Sequence, residues 1–315
     1  MEPNGLPKEG EEALSKKDLN SLLDERRRHV LQIERLEAMP HVVWQLLEAL
    51  GSSHTTAAKL ESIIEHDVAL ASKLLSLANS AYYGFQQRIT TIRHAVVLIG
   101  YRELQFLALG SGLAGVFDFR KTPRGFNAEA LWVHCMAVAW AASFIAEATR
   151  QVAPGEAMIA GLLHDVGKLV LATCLKEDLA ALLDLEEGGM PYYLAEEELG
   201  LEHTRIGYWL AKRWSLPEVH TMVIQGHHRP QVKNPYVKAV CIVALADRLV
   251  KALRLGMIHD SRPWNVSMAL KALNLSERTF REIATHVGRM LPSMQHLWLQ
   301  LLGKGENLRD RSGRG

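Results

Sequence analysis

The segment Gly161-Leu162-Leu163-His164-Asp165-Val166-Gly167-Lys168 governs the reading of the whole chain. It sets a histidine directly before an aspartate inside an apolar, helix-like run. A buried carboxylate without a partner is costly, because it loses its hydration. A divalent ion would supply the compensating charge, and imidazole with carboxylate suits several such ions. The plainer alternative is a polar pair that interrupts a helix and hydrogen-bonds its own backbone. On a helix, His164 and Lys168 share a face, with Asp165 about a third of a turn away. That places a cation beside a ligand pair, where it can hold a phosphate oxygen.

The surrounding chain favours the metal. His134 lies upstream in Leu131-Trp132-Val133-His134-Cys135, and Asp247 lies downstream in Ala244-Leu245-Ala246-Asp247. Between them stand His203, in Leu201-Glu202-His203-Thr204, and the pair His227-His228. The order His, His-Asp, Asp resembles the HD superfamily of metal-dependent phosphohydrolases. The resemblance implies that His134, His164, Asp165 and Asp247 share one divalent ion. His203, His227 and His228 resemble the additions of two-metal HD enzymes and would hold a second. Iron, manganese, magnesium, zinc and nickel all remain open. Asp165 and Lys168 are the catalytic candidates if the chain is an enzyme.

Composition sets the outer bounds. The 315 residues are 48% hydrophobic and 23% charged, which fits a globular chain of one large or two modest domains. The formal net charge of +1 gives no footprint for nucleic acid or an anionic membrane. Cys135, Cys174 and Cys241 are far apart and form no Cys-x-x-Cys, which suits a reducing compartment. The first 35 residues lack the apolar core of a secretory signal. The stretch from Ala130 to Ala146 is uncharged but falls short of the ~18–20 apolar residues a span needs. It reads as a buried helix, and the protein as cytoplasmic.

Helical periodicity runs through the chain. A charged leader, 1–37, is disordered over 1–14 and then forms an amphipathic helix, with Arg26-Arg27-Arg28 on a solvated face. Residues 38–126 make an amino-terminal helical lobe. In it Thr55-Thr56 and Asp67 cap successive helices, and two more run from Ile92 to Ile99 and from Arg102 to Phe117. Residues 127–256 form a second helical lobe. Its helices carry His134, then Glu177 to Glu187, then Thr204 to Arg213, then a stretch opened by Pro217, then Tyr236 to Leu255. A small helical appendage occupies 257–302, with Ser276 capping its last helix, and 303–315 is a disordered tail. The Val- and Ile-rich pieces keep helical rather than alternating spacing. The expectation is an all-α protein of two lobes.

A more specific resemblance rests on four separated runs. They are Ile64-Glu65-His66-Asp67 through Asn79-Ser80-Ala81-Tyr82-Tyr83-Gly84, then Thr91 to Gly100, then Gly161 to Leu171, and then Glu202 to Leu210 with Trp214-Ser215-Leu216-Pro217-Glu218. Together they are similar to the HDOD (HD-related output domain) family of bacterial signalling proteins, in the expected order over roughly residues 36–250. In that family His66-Asp67 belongs to the amino-terminal lobe, so Asp67 is a cap and not a ligand. The resemblance implies a non-hydrolytic regulatory output module that binds protein partners and a metal or nucleotide. A metal-dependent phosphohydrolase acting on a nucleotide or phosphoester is the alternative, and a bare scaffold the third reading. After His227-His228 the chain reads Arg229-Pro230-Gln231. The Gly-Tyr-Pro element of the related HD-GYP enzymes, which cleave cyclic-di-GMP, is absent there. The leading segment is too short for a receiver domain.

Overall fold

The computed structural model describes residues 16–36, 39–51, 56–117, 122–231, 235–256 and 266–302. The segments expected to lack structure, 1–14 and 303–315, lie outside these. Among the described residues every regular element is helical. α1 (Lys16–Gln32) and a short 3-10 turn (Glu34–Leu36) lead into the amino-terminal lobe. That lobe comprises α2 (His41–Gly51), α3 (Ala57–Glu65), α4 (Val68–Ala78), α5 (Ile92–Ile99) and α6 (Tyr101–Val116).

The second lobe follows with α7 (Ala128–Thr149), α8 (Pro154–Leu163), α9 (Val166–Cys174) and α10 (Lys176–Glu187). It continues through α11 (Tyr192–Glu198), α12 (His203–Arg213), α13 (Glu218–Gly226) and α14 (Val237–Ala252). Last come α15 (Val266–Ala272) and α16 (Glu277–Gln300).

Polar side chains start these helices by accepting first-turn amides. Thr56 accepts from the Lys59 amide at 3.3 Å, Asp67 from Leu70 at 2.9 Å and Asn127 from Ala130 at 2.9 Å. Ser276 accepts from Thr279 at 3.0 Å. Asp67 is therefore a cap, as its place in the amino-terminal lobe implies.

The loop after α4 is clasped by one side chain. Asn79 Nδ2 donates to the carbonyls of Leu75 (2.7 Å) and Ile89 (2.8 Å), and its Oδ1 accepts from the Ile89 amide at 2.8 Å. Tyr83 then donates to Glu103 on α6 at 2.6 Å. Asn79→Ala should cost about 1–2 kcal/mol, since each bond contributes about 1 kcal/mol net and the site is partly solvated. Denaturant midpoints with and without chelator check this, because the loss should not depend on metal.

α1 does not keep all its arginines in solvent. Arg26 pairs with Asp178 of α10 at 2.7 Å, which corrects the reading of this stretch as a wholly solvated face. At the far end of α1, Arg213 donates to the carbonyls of Val30 and Ile33, and Trp214 Nε1 to Leu36 O at 3.0 Å. Val30 and Leu36 are buried there, so the helix docks on α12 through apolar contact as well as polar bonds.

α7 is the spine of the second lobe, packed against α8, α14 and α16. By length and composition α7 and the stretch from Pro154 to Cys174 could each cross a membrane, but both are mostly buried in the fold, as core helices are. α16 buries Val287, Leu291, Met294, Leu297 and Trp298. The lobes meet where α2 packs on α8.

Candidate metal centre

The His164-Asp165 pair does interrupt its helix, because α8 ends at Leu163 and α9 starts at Val166. Asp165 sits at φ −102°, ψ 19°, outside helical geometry. Its carboxylate nevertheless takes no first-turn amide, so the break is not a cap. The break instead turns both side chains toward one buried point. His164 and Lys168 thus do not share one continuous helix face. Lys168 Nζ reaches back to Asp165 Oδ2 at 2.9 Å.

Around that point the expected residues converge from four helices and the α8–α9 break. His134 comes from the first turns of α7, His203 opens α12, His227-His228 closes α13, and Asp247 lies in mid-α14. His134 Nε2 approaches Asp247 Oδ1 to 2.9 Å and Asp165 Oδ2 to 3.9 Å. His164 Nε2 lies 3.4 Å from Asp165 Oδ2 and 3.8 Å from Asp247 Oδ1. On the other side of Asp165, Oδ1 is 3.2 Å from His203 Nε2 and 3.5 Å from His227 Nε2. His203 and His228 meet through their Nε2 atoms at 3.0 Å.

Two groups of donor atoms are compact enough to hold an ion: His134, His164 and Asp165, and then Asp165, His203, His227 and His228. Asp165 belongs to both.

The donor set fits a divalent ion on physical grounds. The Nε2 atoms of His134, His164 and His227 and the Oδ1 atoms of Asp165 and Asp247 are all buried without a well-formed hydrogen bond, and face one another across contacts such as the 2.9 Å between His134 Nε2 and Asp247 Oδ1. Orphaned buried polar atoms are rare, and five around one point call for a common partner. The ring orientations are held from behind. His164 Nδ1 lies 2.7 Å from Gly161 O and His227 Nδ1 3.0 Å from Ile224 O, so each Nε2 lone pair faces inward. Burial lowers the pKa of His134, and that of His227 to about 4, leaving both uncharged. Burial alone would raise Asp165, but the charges of His164 and Lys168 hold it well below the usual carboxylate range. Asp247 is held down in the same way, chiefly by Lys251, whose Nζ sits 2.8 Å from Oδ2. Lys251 leaves Asp247 Oδ1 to the centre, whereas Asp165 turns Oδ2, shared with Lys168, to His134 and His164 and Oδ1 to His203 and His227.

Glu196 of α11 was not legible as part of this site. It is fully buried, and its Oε1 lies 2.5 Å from His203 Nδ1 and accepts from the His203 amide at 3.2 Å. A carboxylate behind a ligand histidine fixes its tautomer and raises its basicity. The only signal in the chain was an acidic run, Glu196-Glu197-Glu198, whose first residue stands seven before His203, and such runs are usually solvated. Glu196→Ala should weaken an ion at the His203 group by about 10–100-fold, measured by titration against a competing chelator. Burial would lower His203, yet the Glu196 charge raises it to about 9. An ion there must displace a proton, so its affinity should increase as pH rises toward that value.

Two glycines set the closeness of the packing. A Cβ at Gly167 would run into the His203 carbonyl and come within 2.8 Å of the Gly207 nitrogen, so α9 and α12 cross backbone to backbone. Gly256, at φ +81°, leaves 2.7 Å between a would-be Cβ and His134 Cβ.

A cavity of about 530 Å³ opens outside the centre, lined by Glu197, Glu202, Arg205, Gln225, His228 and Arg229 among others. His228 is the one site residue on its wall. Arg229 pairs with Glu197 at 2.7 Å and Arg205 with Glu202 at 2.8 Å.

Comparison with known proteins places this arrangement. The HDOD domain family matches residues 36–230, and the chain belongs to that family. An uncharacterized protein of Treponema pallidum (strain Nichols) is 30% identical over 227 residues, covering 70% of this chain. The chain spans 44% of that relative's length. Among solved structures, an HDOD domain protein of unknown function from Geobacter sulfurreducens superposes with a TM-score of 0.74 at 26% identity, covering 90% of this chain and 99% of its own. A protein from Marinobacter aquaeolei VT8, provisionally named for signal transduction, has a TM-score of 0.74 at 19% identity, over 91% of this chain and 66% of its own. The latter likeness is one of fold.

Proposed function

We propose that this chain is a regulatory output module whose HD-like lobe holds divalent metal for structure and signalling, without phosphoester hydrolysis. The observation that carries this reading is the convergence of five buried ligand atoms, Asp165 Oδ1 among them, on one point. The first ion would be held by His134, His164, Asp165 and Asp247, and the second by Asp165, His203, His227 and His228. Bound metal supplies positive charge and Lewis acidity. The chain's own residues orient the imidazoles, neutralise one oxygen of each carboxylate through Lys168 and Lys251, and exclude water.

Absence of turnover is supported by that same closure. Lys168 and Lys251 are engaged by the two aspartates, so neither is poised for a phosphate oxygen. Only His228 borders the outer cavity. The chain also lacks Gly-Tyr-Pro after the paired histidines.

Protein partners are the expected recipients of the signal. Val68 and Val97, on α4 and α5, are 80% and 74% exposed and offer apolar contact. The alternative, a metal-dependent phosphohydrolase, draws on Arg205 and Arg229 beside His228, which could take a nucleotide phosphate if released from their glutamates.

Elemental analysis of the purified chain should find at least one divalent ion, and chelation should lower its melting temperature. A screen of nucleotides and generic phosphoesters should show no chelator-sensitive turnover. Robust turnover lost on chelation would replace this reading with the hydrolase.

A further inference from the structure

Where the lobes meet, α2 and the starts of α8 and α13 enclose a second cavity of about 480 Å³. Trp44, Leu47 and Val219 give it apolar walls, and Glu48, Glu156 and His220 are its titratable groups. No residue of the metal centre lines it, and among the described residues no lysine or arginine does.

Of the three polar groups, Glu48 is exposed, Glu156 is half-buried and His220 is buried. Glu48 and Glu156 make no hydrogen bond or salt bridge among the described residues. His220 is 5% exposed, and its Nδ1 is buried with nothing to bond. A buried orphan of that kind costs roughly 1–3 kcal/mol unless something occupies the space beside it. Burial holds His220 at about 4, so the ring is uncharged at neutral pH and can accept a hydrogen bond at Nδ1. Burial also raises Glu156, as expected for a carboxylate drawn from water without a cation.

The charge balance selects the ligand. Two carboxylates face the cavity, and the amino-terminal ends of α8 and α13 offset about half a charge each. A negative charge of about one remains. A single metal ion is a poor occupant, because these three donors do not form a compact ligand group as those of the metal centre do. The volume lies within the range of small-molecule sites, about 300–1,000 Å³. We propose that the cavity binds a small organic cation, an ammonium or guanidinium group on an aliphatic stem. Its N–H donors meet Glu48, Glu156 and His220 Nδ1, its charge lies near the Trp44 indole, and its stem packs on Leu47 and Val219.

The position has a consequence for the lobes. α8 starts at this cavity and leads to His164, and α13 starts there and leads to His227. A bound cation therefore ties α2 to the two helices that present metal-site histidines about 10–12 Å further along. The proposal does not depend on the metal reading.

Calorimetric titration of the full chain with butylammonium, agmatine, N-acetyl-lysine amide and the neutral isostere butan-1-ol tests it. The cations should bind with a Kd below ~1 mM and the alcohol should not. Glu156→Gln and the exposed-site variant Glu48→Gln should each weaken binding by about tenfold, equivalent to losing ~1.4 kcal/mol, with helical content unchanged. Tighter binding of the free amines identifies a small molecule as the source, and tighter binding of N-acetyl-lysine amide identifies a partner's side chain. Either outcome supports a cation site. No saturable binding of any cation up to ~10 mM, or binding that both variants leave within about twofold, overturns it.

Discussion

Asp165→Ala is expected to destabilise the chain by about 3–5 kcal/mol and to abolish the metal-dependent part of its stability. The first figure follows from Lys168, which is buried and would lose its 2.9 Å ion-pair partner. The second follows from position, because Asp165 belongs to both compact donor groups. An ion present at 100 times its Kd contributes about 2.7 kcal/mol, and this increment should vanish with the ligand. Calorimetry with and without chelator separates the two losses. Pairing the change with Lys168→Met should restore part of the first loss and none of the second. A metal-dependent increment that survives in Asp165→Ala would remove the aspartate from the centre. If instead the parent shows phosphoester turnover and this variant loses it, the hydrolase reading prevails.

The same carboxylate predicts an acid limit. Asp165 and Asp247 have folded-state pKa values depressed below the unfolded carboxylate value near ~3.9. Their contribution is present above that value and is lost as pH falls through the folded pKa. Stability should therefore fall steeply below about pH 4. Removing Asp165 should flatten that limb.

Gly167→Ala should be the most damaging single-methyl change in the second lobe. Within a helix, alanine in place of glycine ordinarily gains about 1 kcal/mol. Here the added Cβ would meet the His203 carbonyl and the Gly207 nitrogen, which are backbone and cannot swing aside. Overpacking costs about 1–3 kcal/mol where side chains can adjust, and more where they cannot. A net loss of at least ~3 kcal/mol is expected, read from the denaturant midpoint. Any folded variant should also bind metal poorly at the His203 group, since α12 must shift to make room. A midpoint equal to or above the parent's would show that α9 and α12 are not in the contact described.

How far the sequence alone could reach is visible in particular residues. The caps at Thr56, Asp67, Asn127 and Ser276 depend on neighbours three residues away, so local spacing suffices to place them. Helical periodicity likewise set the element order, and separated runs set the family. Ordered His and Asp positions named the residues that meet at the centre, because each stands in its own apolar helical context. Tertiary structure alone decided the rest. The break at Asp165, the docking of Arg26 on Asp178 and the backing of His203 by Glu196 all depend on which helix faces meet. Whether Lys168 awaits a ligand or pairs with Asp165 is likewise a matter of distance between side chains. An acidic residue in a charged run looks the same whether it is solvated or folded against a buried imidazole. Only close packing, which withdraws water and leaves one partner within reach, distinguishes the two.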